Sequence, residues 1–84
     1  HYIRKLNNQL KKLVLAYRTE DQKNIKRQQN RLNRTIEQLE PEELTALQKN
    51  SSLEQVRNQL TQLENETGKD IITDKNKSRL RRAP

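Results

Sequence analysis

Apolar residues in the first part of the chain recur every three or four positions. Ile3, Leu6, Leu10, Leu13 and Tyr17 follow a 3,4,3,4 spacing. That is the a/d pattern of a helix that buries one narrow face against other helices. The Lys and Arg residues of this segment fall mostly on the opposite side. The pattern predicts a helix over about residues 2–18.

A second amphipathic segment follows after a change of phase. The eight-residue step from Tyr17 to Ile25 breaks the heptad spacing. Thr19 with Gln22 three residues later matches a capping box. We therefore predict a tight turn near residues 18–20 and a second helix over about 20–39. A continuous helix with a local kink is the alternative, since no Gly or Pro enforces a stop. Its apolar residues share one face, and they are Ile25, Leu32, Ile36 and Leu39.

Two further helix starts follow. Residues 40–43, Glu-Pro-Glu-Glu, place a proline and acidic residues where a first helical turn tolerates or favours them. They predict a short helix over about 42–49. Ser51 and Glu54 form a second capping-box pattern. A fourth helix over about 52–66 carries apolar residues at 3,4,3 spacing: Leu53, Val56, Leu60 and Leu63.

The helical pattern ends at Gly68, the only glycine, which occupies the position of a C-terminal helix cap. The β-branched patch at residues 71–73 is predicted either to dock on the bundle or to pair as a short strand. Residues 75–84 have the composition of an unstructured basic tail. We predict a helical bundle over residues 1–68 and a basic, flexible tail over 69–84.

The predicted fold is all-α. Single apolar stripes joined by short links predict a small antiparallel helical bundle or helical hairpin with coiled-coil-like seams. Such narrow seams serve either as the core of one chain or as an oligomer interface. The predicted seam residues are Leu6, Leu10, Leu13, Tyr17, Leu53, Val56, Leu60 and Leu63.

Composition makes an isolated monomer marginal. Leu, Ile and Val account for 19 of the 84 residues, and Phe, Trp and Met are absent. This supply is only just above the level of about 20 per cent below which charged chains tend to stay disordered. We therefore expect a ligand, a homo-oligomer or a larger protein assembly to contribute to stability.

Charge is segregated along the chain, whose net charge is +7. Residues 1–34 carry +8, residues 35–66 carry −5, and residues 67–84 carry +4. Such a distribution attracts polyanions and can also form ion pairs within the chain.

The basic face of the second helix is the main candidate binding site. Cations at i+3 and i+4 steps on one helix face can meet several phosphate oxygens together. Acidic residues are not interleaved among them, as they are on many exposed helices. The alternatives are an ordinary solvated face, an acidic protein or a lipid surface. The predicted nucleic-acid-binding residues are Lys23, Lys26, Arg27, Arg31 and Arg34, joined in the tail by Lys75, Lys77, Arg79, Arg81 and Arg82.

The number and position of the aromatic residues indicate which kind of nucleic acid the chain would bind. Tyr2 and Tyr17 are the only ones, and neither lies in the second helix. Single strands are usually held by stacking bases on aromatic side chains. We therefore expect duplex DNA or structured RNA, held through its backbone.

Residue types needed for catalysis are scarce. The chain has no cysteine, and its one histidine is His1. A hydrolytic triad, a His-based metal site and a glycine-rich phosphate loop are excluded. The acidic cluster around Pro41 is interpreted as a helix start. We predict no catalytic residues, no metal site and no cofactor.

Two further expectations concern location and an alternative role. No apolar run approaches the about 20 residues that span a bilayer, and we expect an intracellular chain, cytoplasmic or nuclear or nucleoid-associated. The alternative function is a structural coiled-coil or helical-bundle domain for oligomerisation or docking within a larger assembly. Its interface would be formed by Leu10, Leu13, Leu60 and Leu63.

Overall fold

A computed structural model describes residues 2–49 and 51–80 and shows helices throughout that part of the chain. In chain order the helices are α1 (Tyr2–Arg18), α2 (Gln22–Glu37), α3 (Pro41–Gln48), α4 (Ser51–Thr67) and α5 (Asp74–Leu80). The predicted all-α helical bundle is confirmed. The four predicted helices agree with α1 to α4 to within two residues at each end, whereas α5 was not predicted.

The turn between α1 and α2 ends one helix and starts the next without glycine. The N–H of Thr19 still donates to the carbonyl of Leu15 (3.0 Å), so α1 continues to this point. Glu20 then adopts φ of +56°, a left-handed conformation that stops the helix. Asp21 follows in an extended conformation and accepts a hydrogen bond from the N–H of Asn24 at 3.1 Å. The predicted capping box at Thr19 is therefore wrong, because the cap lies two residues later.

Replacing Asp21 with alanine is expected to lower the free energy of unfolding by about 1 kcal/mol, because the N-terminus of α2 loses its capping acceptor. Urea unfolding followed by circular dichroism measures the change. Asp21→Asn keeps the acceptor oxygen and is the matched control. An alanine variant as stable as the parent, or an asparagine variant as damaged as the alanine one, would contradict this role.

The ends of α3 and α4 follow the predicted chemistry. Pro41 opens α3, and the N–H of Glu40 donates to the carboxylate of Glu43 at 2.8 Å, as in a capping box. Gly68 follows α4 with φ of +69°, and its N–H donates to the carbonyl of Glu64 at 2.9 Å. A positive φ at this position explains why glycine is used there.

The helices pack around one core. α1 and α2 form an antiparallel hairpin. The side chain of Gln9, in the middle of α1, donates a hydrogen bond to Thr35 in the last turn of α2 (2.8 Å). α4 packs against α1, and residues 10–18 of α1 and 59–66 of α4 line one groove. α3 contacts α4, and α5 contacts α2 and α3. The folded chain measures 36 × 22 × 20 Å.

The predicted seam residues pack in the core of a single chain. Tyr17 is half-buried and packs against the core, and burial raises its pKa, with a smaller contribution from the charge of Glu64. An oligomer interface built from the other seam residues would require the bundle to open. These buried residues are Leu6, Leu10, Leu13, Leu53, Val56, Leu60 and Leu63.

The predicted flexible tail is wrong for residues 71–80. Ile71, Ile72 and Leu80 are buried in the same core as α1 to α4. The Glu64 carboxylate accepts hydrogen bonds from the N–H groups of Ile71 (2.7 Å) and Ile72 (3.2 Å). Docking on the bundle is thus the alternative that is observed for residues 71–73. Residues 81–84 lie outside the described part of the chain.

Candidate functional site

The outward face of α2 carries the predicted cations. Ile25, Leu32 and Ile36 point into the core, which turns the opposite side of the helix to solvent. The first and last cations are eleven residues apart, or about 16 Å along the axis at 1.5 Å per residue. All five are exposed: Lys23, Lys26, Arg27, Arg31 and Arg34.

These five cations are not neutralised by the fold. Within residues 2–49 and 51–80, the ion pairs closer than 4.0 Å both involve Lys77. The Glu-rich segment formed by α3 and α4 therefore does not pair with Arg27 or Arg31, although the charge pattern allowed it. The positive face of α2 remains open to a ligand.

Lys77, unlike the α2 cations, forms ion pairs within the fold. Its ammonium group lies 3.5 Å from the carboxylates of both Glu64 and Asp70. Partial burial by itself lowers the pKa of Lys77, but the two carboxylates together outweigh this effect and raise it. Since Glu64 also holds the N–H groups of Ile71 and Ile72, Lys77 helps to fix the chain against α4.

Arg79 also serves the fold. Its guanidinium group donates to the backbone carbonyls of Ile36 (3.3 Å), Glu37 (3.4 Å) and Leu39 (2.6 Å). The last carbonyls of a helix lack partners within the helix and carry partial negative charge, so a cation is stabilising there. Arg79 thus closes the C-terminal end of α2.

The other cations predicted in the tail are Lys75, Arg81 and Arg82. Lys75 is exposed on α5. Arg81 and Arg82 lie outside the described residues. Among the predicted binding residues that the structure describes, the exposed cations therefore lie on α2, apart from Lys75 on α5.

One flank of α2 is acidic. Asp70, Asp74 and Glu37 line a groove with Arg34 where α2 meets the segment that leads into α5. Asn33 and Gln29 of α2 hold this segment through hydrogen bonds to the carbonyls of residues 71 and 70. Three carboxylates reduce the positive potential on this flank.

Sequence reasoning did not identify the polar side chains that are buried in the bundle. Gln28 is only 8% exposed and donates to Asn24 at 3.1 Å. Asn76 is fully buried, and its side-chain amide donates to Asn33. The partners of Asn76 and Arg79 are about 40 residues away in sequence, so no local pattern marks these roles.

In the described part of the chain, no three His, Cys, Asp or Glu side chains are grouped so that they could hold a metal ion. None of the helices there is both long enough and apolar enough to cross a membrane.

Comparisons with known proteins gave no match: no protein-family model fits the chain, and no curated protein or solved structure is significantly similar to it. The function is therefore inferred from surface chemistry. The basic face of α2 is the feature that the sequence singled out and that the fold leaves accessible.

Proposed function

We propose that the chain is a non-enzymatic nucleic-acid-binding module whose α2 face contacts the phosphate backbone of duplex DNA or structured RNA. The observation that supports this most is the row of five exposed cations without carboxylate partners in the described residues. Unpaired cations along a helix release counterions when they meet phosphates, which favours binding to a polyanion. Such a ligand places the chain inside the cell, in the cytoplasm, nucleus or nucleoid.

The aromatic residues favour a backbone contact over base stacking. Tyr17 packs against the core. The hydroxyl of Tyr2 is hydrogen-bonded to Glu43, which raises the pKa of Tyr2 and lowers that of Glu43. Neither ring lies on α2, and a single strand held by stacking would need rings beside the cations.

A lipid surface is the weaker alternative. Membrane-bound amphipathic helices insert large apolar side chains beside their cations. Among the described residues, the large apolar side chains that are exposed are Tyr2 and Leu15, and both belong to α1. The face of α2 offers charge without an apolar anchor.

The test is a titration with a DNA duplex and an RNA hairpin at two salt concentrations. Changing Lys26, Arg27 and Arg31 together to glutamate is expected to weaken binding about 100-fold or more and to lower the log–log salt slope by about 3. These side chains are exposed, so the helical circular dichroism and melting temperature should change little.

The matched control reverses three exposed cations elsewhere, Lys11, Lys49 and Lys69. It lowers the net charge by the same amount and should weaken binding much less. Wild-type protein that does not bind at low salt would contradict the proposal. Equal losses in the two triple variants would show that net charge, and not the α2 face, controls binding.

A further inference from the structure

We propose that the binding surface continues from α2 onto α1 through Lys5 and Lys12, and that the bound nucleic acid is double-stranded, with one phosphate strand along each helix. This inference rests on the proposed function and specifies its ligand and footprint.

The hydrogen bond between Gln9 and Thr35 fixes which sides of α1 and α2 meet. It joins the two helices at 2.8 Å and is partly buried. Residues three or four positions away from each partner lie on the same side of their helix. On α1 these positions are Lys5 and Lys12. On α2 the corresponding position is Arg31, with Arg27 one turn before it.

All four cations are exposed. In the part of the chain that the structure covers, none of them is within ion-pair distance of a carboxylate. The junction of α1 and α2 therefore carries a cationic row on each helix: Lys5 and Lys12 on one, and Arg27 and Arg31 on the other.

The opposite flank of α2 has a different charge. There Asp70, Asp74 and Glu37 line the groove next to α5, and Lys77 is already paired with two carboxylates. A polyanion that approaches α2 is repelled on the α5 side and attracted on the α1 side. The positive surface of α2 therefore continues towards α1 and not towards α5.

The distance between the α1 and α2 helices suits the two phosphate strands that border a duplex groove. Packed helices have axes about 8–10 Å apart. The grooves of a DNA duplex are about 6 Å and 12 Å wide, each bordered by two phosphate strands. Two rows at this separation can each meet one border of a groove, whereas a single strand would engage only one row.

The experiment compares a 20-base-pair DNA duplex with its separated single strands, using fluorescence anisotropy and the full chain. Changing Lys5 and Lys12 together to glutamine is expected to weaken duplex binding about tenfold or more and to lower the salt slope by about 2. Binding to the single strands should fall much less.

Lys11 and Lys49 changed together to glutamine provide the control. This pair removes the same charge, and Lys11 lies on the side of α1 that faces α4. Equal losses in the two double variants would overturn the α1 footprint, and equal losses for duplex and single strands would overturn the two-strand arrangement. In both cases the proposed function would stand as long as the α2 triple variant is defective. Wild-type protein that binds no duplex would instead defeat the proposed function itself.

Discussion

Replacing Ile71 with alanine is expected to lower the free energy of unfolding by about 3 kcal/mol, the usual range for removing a buried Ile side chain from a packed core. Ile71 is 1% exposed and belongs to the same cluster as Leu32 and Leu53. A loss of this size is a large fraction of the about 4–13 kcal/mol that stabilise a chain of this length. Urea unfolding followed by circular dichroism gives the value.

The control is Lys75→Ala on the same segment. Lys75 is exposed, and a surface substitution of this kind changes stability by about 0.5 kcal/mol or less. Hydrogen exchange adds a second measurement, since the amides of α5 should be protected in the parent and become less protected in the Ile71 variant. If residues 69–84 were a flexible tail, both variants would unfold like the parent, and the α5 amides would exchange freely.

The helices that the sequence predicted are those with local signals. The heptad spacing from Ile3 to Tyr17 identified α1, and the proline and acidic residues at 40–43 located the start of α3. Gly68 marked the end of α4 because a left-handed residue is needed there. Periodicity and caps depend on neighbours a few positions apart, so one sequence is enough to find them.

Helix α5 could not be found in this way. Its sequence, DKNKSRL, has one apolar residue, Leu80. What holds the segment in place are contacts with α4 and α2, such as those made by Glu64 and Asn33. A polar composition correctly indicated that the segment does not form a core by itself, but it did not indicate that distant residues would bind it.

The same distinction applies to the candidate site. Helical phase placed Arg27 and Arg31 opposite the apolar face, and both are exposed. Composition alone grouped Lys77 and Arg79 with them, although both are used within the fold. A charged residue whose partners are distant in sequence cannot be separated from a free one until the packing of the helices is known.

The side chain of Asn33 connects α2 to the C-terminal segment in two directions. Its amide nitrogen donates to the carbonyl of Ile71 at 2.9 Å. Its oxygen accepts from the N–H of Thr73 (3.1 Å) and from the side chain of Asn76 (2.8 Å). Asn76 is fully buried. Its side-chain amide also donates to the backbone carbonyl of Asn33 (3.1 Å), and an alanine would keep this bond. Water cannot readily replace the side-chain partner that Asn76 would lose.

Replacing Asn33 with alanine is therefore expected to lower the free energy of unfolding by about 3 kcal/mol, because buried polar groups left without partners are each destabilising by about 1–3 kcal/mol. Asn30→Ala, on the exposed side of the same helix, is the control and should change stability by about 0.5 kcal/mol or less. Both substitutions are also combined with Ile71→Ala. If Asn33 and Ile71 hold the same segment, their double variant will lose less stability than the two single losses added together, whereas the Asn30 combination will be additive. Additive losses for Asn33 and Ile71 would mean that the two residues act independently and that residues 71–80 do not dock as one unit.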